Sequence, residues 1–280
     1  MRTLLVRCGT DVPSVNMADA LLRMAEWSDL GEADGMSFRE TDGFLMVSTD
    51  GLHINSEDID RKVAKAGHSF DNMVFLSRHR AASGKPTLTV HPIGNYGAAD
   101  FGGKPETLCP ADPHFMTALF RGFSSAPQPE GFSSSFEVTH HGPFVSKPAM
   151  FLEIGSCEET WGNKEAAELL AKTLLEERPR DFPVVVGVGG GHYAPRFSEI
   201  AASYEVDFGH MLPSYHMKDV GDETLLDMVG KACDATGSKT VYLHRKAFGR
   251  PEGRRIMELI ESAGYETIAS KDLNPAGTSR

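Results

Sequence analysis

A layered α/β fold is expected from this sequence on three observations. Short β-rich runs alternate with longer stretches of helical periodicity, the pattern of strands joined by crossover helices. One run, Val184-Val185-Val186, has no polar alternation, as a central strand covered on both faces requires. The third is length: 280 residues can bury a substantial core, as one large domain or two modest ones. With no internal repeat and no clean linker, residues 1–280 are read as a single domain.

Strands are expected at Leu4–Arg7, Met73–Ser77, Leu88–His91, Phe136–Thr139, Met150–Ile154, Val184–Val188 and Thr240–Leu243, with a short segment at Glu205–Phe208. Asn163 can cap a helix running to about Arg178, with Ala167, Leu170, Ala171 and Leu174 on one face and Pro179 stopping it. A second helix covers about Glu223–Ala235, its apolar side made by Leu225, Leu226, Met228 and Val229. A third runs from Glu252 to Ala263, carries Ile256, Leu259 and Ile260 inward, and ends at Gly264. Long irregular loops are expected near 92–113, rich in Gly and Pro, and near 124–135, rich in Ser, Pro and Gly.

Composition narrows the function classes. Apolar residues make up 40% and charged residues 24%, as in an ordinary folded, soluble protein. No run approaches the roughly 18 apolar residues that span a bilayer. The N-terminus MRTLLVRCGTDVP has only a three-residue apolar run, too short for a secretory signal. Cys8, Cys109, Cys157 and Cys233 never form a C-x-x-C pair, so reduced thiols and a cytoplasmic location are expected. A formal charge of −11 provides no global field for nucleic acid, so any RNA contact needs a local basic patch. Two candidates are Arg78-His79-Arg80 with Lys85 and Lys104, and Arg245, Lys246, Arg250, Arg254 and Arg255; the plainer alternative is two solvated faces.

The chemistry concentrates at strand ends. His79, His91, His140, His192 and His244 lie at or within two residues of an expected strand end, and His210 follows Glu205–Phe208. In open α/β sheets ligands bind outside the carboxyl ends of strands, where such side chains can meet; antiparallel strands would shrink the cluster. In Phe136-Glu137-Val138-Thr139-His140-His141-Gly142-Pro143, alternation places Glu137, Thr139 and His141 on one face and His140 on the other. A carboxylate near an imidazole suits acid–base work, metal ligation or orientation of a ligating histidine. Val188-Gly189-Gly190-Gly191-His192-Tyr193 lacks a dinucleotide or P-loop fingerprint. Its Gly189, Gly190 and Gly191 amides can face a phosphate or oxyanion, with His192 and Tyr193 beside them. Glu153 lies within an apolar strand, where an ionised carboxylate needs a partner, structural or metallic. No H-E-x-x-H helix or cysteine set is present, so a metal would need ligands from separate loops.

The stretches S-R-H-R-A-A-S-G-K-P-T-L-T-V-H-P-I-G-N, T-H-H-G-P, F-L-E-I-G-S followed by E-E-T-W-G-N, and G-G-G-H-Y-A-P-R-F resemble the archaeal and plant-type D-aminoacyl-tRNA deacylase family. The likeness is strong from about Met73 to Tyr215. It implies hydrolysis of the ester between a D-amino acid and the 3′-terminal ribose of tRNA, zinc dependence, and a three-layer α/β/α fold with a mixed, largely parallel central sheet of the phosphorylase/hydrolase-like kind. By motif it points to His79, His91, His140, His141, Glu153, His192 and Tyr193.

The expected catalytic set is Glu137, His140, His141, His192 and Tyr193, with His91, His141, Glu153, His192 and His210 as metal ligands. His141 or Glu137 would act with the metal on water, and the glycine amides would hold the oxyanion. No G-x-S-x-G elbow supports a serine nucleophile. Arg78, His79, Arg80, Lys85, Arg245, Lys246, Arg250, Arg254 and Arg255 would face tRNA charged with a D-amino acid; a monomer without membrane contact or protein partner is expected. Rival readings are a metal-dependent amidohydrolase or peptidase for a small substrate, and a non-catalytic RNA-binding module, which the absence of an aromatic stacking pattern disfavours.

Overall fold

In the computed structural model, which describes residues 1–277, the strands fall into two sheets instead of one. The first begins with β1 (Thr3–Cys8), followed by α1 (Val12–Met24), whose first amides are capped by Asp11. An antiparallel meander follows: β2 (Ser28–Ala33), β3 (Met36–Thr41) and β4 (Phe44–Thr49). Then come α2 (Ile59–Lys65), β5 (Asn72–Arg78), β6 (Thr87–Pro92), α3 (Pro113–Ser125), β7 (Ser133–Phe136) and β8 (Ala149–Gly155). Their order across the sheet is β2-β3-β4-β1-β5-β8-β6-β7, with β4, β1, β5 and β8 mutually parallel. β6 runs antiparallel to β8.

A helical turn, α4 (Glu158–Trp161), and α5 (Lys164–Glu176) lead to the second sheet. There β9 (Val184–Val188), α6 (Pro195–Ser203), β10 (Asp207–Leu212), α7 (Asp222–Thr236), β11 (Thr240–Leu243), α8 (Arg250–Ser262) and β12 (Glu266–Ile268) alternate regularly. This sheet, ordered β10-β9-β11-β12, is parallel throughout. The mixed α/β class expected from the sequence is therefore the one found. No helix among the described residues is long and apolar enough to cross a membrane.

The period of two along each strand sorts side chains between layers. Leu5, Val74, Leu76, Met150 and Leu152 point to one face of the first sheet, where Leu21, Leu119 and Leu170 of α1, α3 and α5 cover them. Leu4, Val6, Met73, Phe75 and Phe151 point to the other, against Ile59 and Val63 of α2. In the second sheet, Val186, Val188 and Val241 pack under Leu225 and Val229 of α7 and Ile256 and Ile260 of α8.

Three expectations change. The loops expected at 92–113 and 124–135 are shorter, because α3 begins at Pro113 and reaches Ser125, and β7 starts at Ser133. Pro113 suits the first helical turn, where a missing N–H costs nothing, and the Asp112 side chain accepts from Phe115 N at 3.1 Å. The strand expected at Phe136–Thr139 ends at Phe136, and His210 lies inside β10. α7 and α8 match the expected helices within two residues, while Leu226 and Leu259 are only partly covered.

Candidate active site

The site grows out of the second face of the first sheet. Along β8, Phe151 belongs to the apolar core and Glu153, two residues on, points the same way; it is buried. Strand register sets Ser77 of β5 and Thr89 of β6 beside Glu153, and His91 beside Phe151. The His91 ring lies parallel to that of Phe151, with centroids 5.2 Å apart. His79 follows β5 immediately. It approaches because residue 155 is glycine: a Cβ there would lie 2.8 Å from both His79 Cβ and Thr87 Oγ1. Trp161 Nε1 donates to the His79 carbonyl at 2.9 Å, holding its backbone from behind.

A second layer of ligating groups comes from the chain leaving β7. This segment bridges the two sheets: Ile93 pairs with His140, Glu137 pairs with Tyr193, and Val138 N donates to His192 O at 3.0 Å. Because β7 stops at Phe136, strict alternation does not continue. Thr139 turns to His210, whereas His140 swings back beside Glu137, its Nε2 3.6 Å from Oε2. His141 has φ +43°, a region a side chain enters only when its surroundings hold it there. His192 and Tyr193 are supplied by the loop after β9.

Glu137 is fully buried and central. Its Oε2 lies 2.9 Å from His192 Nε2 and 3.2 Å from His79 Nδ1. Glu153 Oε2 lies 3.5 Å from His79 Nδ1 and 3.6 Å from His91 Nε2. His79 Nε2 reaches Tyr193 Oη at 2.9 Å. Burial works against charge on His79 and His91, yet the two glutamates outweigh it and raise both rings. Burial likewise opposes ionisation of Glu153 and Glu137, and the facing imidazoles outweigh it, lowering both carboxyls. His140 and His141 go the other way: burial and the adjacent rings push His140 well down, and His141 to about 4. These two are neutral imidazoles at pH 7, the form that binds metal.

The donor set fits a divalent cation. His91, His140 and His141 each offer a ligand atom within 4.8 Å of the others. Their Nδ1 atoms face the carbonyls of Pro92, Val138 and Gly142 at 3.0, 2.8 and 2.6 Å. A carbonyl only accepts, so each Nδ1 carries a proton; on the neutral rings His140 and His141 the Nε2 keeps its lone pair, and His91 would join them by giving up its Nε2 proton to the ion. His91 Nε2 and both Glu137 oxygens are buried without a directed hydrogen bond, although His192 stands at hydrogen-bond distance. Such orphaned groups are costly unless something else completes them. Two further groupings share these atoms: His79 with Glu137 and His192, and His91 with Glu137 and Glu153.

Several expected residues lie elsewhere. His210 is fully buried in β10, with Nδ1 at 3.0 Å from Thr139 Oγ1 and Nε2 at 2.8 Å from Cys109 O; both nitrogens are engaged, which removes it from the ligands. The Gly189 and Gly190 amides donate to Leu212 O and Ser214 Oγ, leaving Gly191 as the glycine whose amide is open among the described residues. His79, expected to face tRNA, is buried in the histidine–glutamate cluster. Arg78 and Arg80 instead flank Trp161, their guanidiniums 5.0 and 5.2 Å from its ring, and Arg80 pairs with Glu158. Lys85, Arg245, Lys246, Arg250 and Arg254 are exposed, while Arg255 is held by Glu252 and Asp222. Gly155 and Trp161 support the site without reacting groups of their own; the F-L-E-I-G-S and E-E-T-W-G-N stretches contain them, but side-chain chemistry alone does not mark them.

The chain as a whole has counterparts in sequence and fold. The model of the family described as D-aminoacyl-tRNA deacylase matches residues 66–268. A D-aminoacyl-tRNA deacylase of Methanococcoides burtonii is 34% identical over 279 residues, 98% of this chain; the chain spans only 57% of that relative's length. One from Archaeoglobus fulgidus is 36% identical over 278 residues, covering 95% of this chain and 96% of the relative. A crystal structure titled a conserved protein of unknown function superposes with a TM-score of 0.87 at 34% identity, covering 97% of this chain and 96% of the other. The chain belongs to the D-aminoacyl-tRNA deacylase family.

Proposed function

We propose that this chain hydrolyses the ester of D-aminoacyl-tRNA, releasing free D-amino acid and tRNA, at the histidine–glutamate cluster. The observation that carries the reading is the convergence of His91, His140 and His141 on one another, each with Nδ1 anchored, beside the unsatisfied Glu137 carboxylate that His140 approaches at 3.6 Å. His91, His140 and His141 would hold a divalent metal, zinc by the chemistry of its imidazole donors. When bound, such an ion lowers the pKa of water and polarises a carbonyl.

The residues divide the remaining work. Glu137 serves as the base: its carboxylate has no directed donor of its own and takes the proton of the attacking water. His141, with Nδ1 donated to Gly142 O, is suited to ligation and not to proton transfer. The new C–O bond forms between water oxygen and the acyl carbon, and the bond to the ribose oxygen breaks. His192, the most exposed ring of the cluster at 38%, is placed to return a proton to that leaving oxygen. Tyr193, held by His79, and the open Gly191 amide are the donors for the oxyanion. No covalent intermediate is needed, because the aminoacyl ester is already activated. Four free thiols, three of them buried, suit the reducing cytoplasm.

The test is ester loss from matched D- and L-aminoacyl-tRNA, with and without a chelator. D-selective hydrolysis that stops on chelation and returns with Zn²⁺ is expected. Equal hydrolysis of both enantiomers, or turnover indifferent to chelation, would overturn the assignment.

A further inference from the structure

The glycine loop touches a second feature that the ester chemistry does not use. Beside Gly190 and Gly191 opens a cavity of about 550 Å³, its apolar lining Tyr215, Met217, Phe248 and Ile256 and its charged lining Lys218, Asp219 and Glu252, the last paired with Arg255. Tyr215 is 48% exposed, which leaves much of its aromatic face open. Its position is fixed: Gly190 N donates to Ser214 Oγ at 2.9 Å, and Ser214 N returns a bond to Gly190 O at 2.9 Å. The Tyr215 ring leans on His216, centroids 4.8 Å apart, and His216 on buried Tyr96 at 5.7 Å.

Across the same loop lies a basic groove of about 480 Å³, lined by Arg196, His244, Arg245 and Lys246. The two hollows share a wall, since a Cβ on Gly189 would lie 3.0 Å from Phe248 and 3.2 Å from the His244 carbonyl. Arg196 is committed to Glu199 at 2.8 Å, but Arg245, Lys246 and Lys218 have no acidic partner within 4.0 Å among the described residues. An apolar aromatic hollow flanked by uncommitted cations matches a nucleotide, which joins a stacking base to a phosphate.

We propose that the Tyr215–Phe248 cavity receives the 3′-terminal purine of the tRNA acceptor end, its preceding phosphates facing Arg245 and Lys246. The assignment rests on the deacylase reading and names where that substrate's last nucleotide lies. The rival occupant is the amino-acid side chain. That side chain is attached one bond from the acyl carbon and must lie among the reacting groups; of these only the Gly191 amide borders the cavity, and none of Glu137, His140, His141, His192 or Tyr193 lines it. The base is separated from the ester by the ribose, which matches a hollow set one loop away.

Two measurements test the placement on the full chain. Adenosine 5′-monophosphate, titrated by calorimetry, is expected to bind wild type, to bind Tyr215→Ala roughly tenfold more weakly, and to bind Tyr215→Phe as wild type does. With D-aminoacyl-tRNA, Tyr215→Ala is expected to raise KM roughly tenfold and leave the loss off kcat, by the same factor for D-alanyl and D-phenylalanyl esters. Absence of nucleotide binding to wild type overturns the proposal. So does a KM effect that grows with the size of the amino acid, which would assign the cavity to the side chain. A chain that binds the nucleotide through Tyr215 but releases no D-amino acid keeps this site and overturns the activity.

Discussion

Gly155→Ala tests whether His79 is held where the cluster needs it. The added methyl would sit 2.8 Å from His79 Cβ, 2.9 Å from His79 Cδ2 and 2.8 Å from Thr87 Oγ1. Comfortable carbon contacts begin near 3.5 Å, so the His79 side chain must retreat by about 0.7 Å. Overpacking of this kind costs about 1–3 kcal/mol. For a chain of this length the unfolding entropy is about 0.6 kcal/mol per degree, so Tm should fall by about 2–5 °C. The kinetic effect should be larger in proportion. His79 positions Tyr193 at 2.9 Å and sits 3.2 Å from Glu137, and displacement approaching 1 Å costs up to about a hundredfold in rate. Thermal unfolding and single-turnover ester loss on the same preparation measure both. A rate within threefold of wild type, with the expected fall in Tm, would refute the role given to His79.

Glu137→Gln keeps the shape of the side chain and removes its basicity; kcat is expected to fall about 10²–10⁴-fold with KM little changed, and a loss below tenfold in steady-state deacylation would remove Glu137 as the base. His53 makes an acid-sensitivity test away from the cluster. It is buried with Nε2 at 2.6 Å from Leu76 O and Nδ1 unpartnered, and burial lowers it to about 4. Above pH 6.5 the ring is neutral in folded and unfolded chains alike; below it, only the unfolded chain takes up the proton. Stability is therefore full above about 6.5 and lost as pH falls towards 4, by about 3 kcal/mol in all. The advantage of wild type over His53→Gln in urea midpoints should shrink across that window, and a constant difference would contradict it.

Much of the second sheet is legible in the sequence because local signals are strong there. Asn163 caps α5 by accepting from Ala166 N at 2.8 Å, and Gly237 closes α7 in the left-handed region. The β2–β4 meander is harder, since almost every residue of β2 is exposed and no alternation marks it. Its turns were nonetheless written in: Asp34-Gly35, with φ +51° and +75°, and Asp42-Gly43 are hairpin dipeptides. In the site, motif and chemistry together single out Glu137, His140, His141 and His192. They do not reveal that β6 runs against β8, which places the cluster on a sheet face instead of beyond the strand ends. Nor do they separate His210 from the ligating histidines. Its two hydrogen bonds, to Cys109 O and Thr139 Oγ1, span 101 and 71 residues of chain and exist only after folding.

The strand-like crossing at 137–142 has a consequence for how activity arises. Glu153, His79 and His91 belong to one sheet, His192 and Tyr193 to the loop of the other, and the crossing ties them together through Val138 N to His192 O and Thr139 N to Met211 O. Neither half carries a complete set of reacting groups. Turnover thus reports the seating of one half upon the other, and a chain whose halves have parted loses catalysis while each still keeps its own hydrogen-bonded ladder. During heating, inactivation should come before the melting of secondary structure.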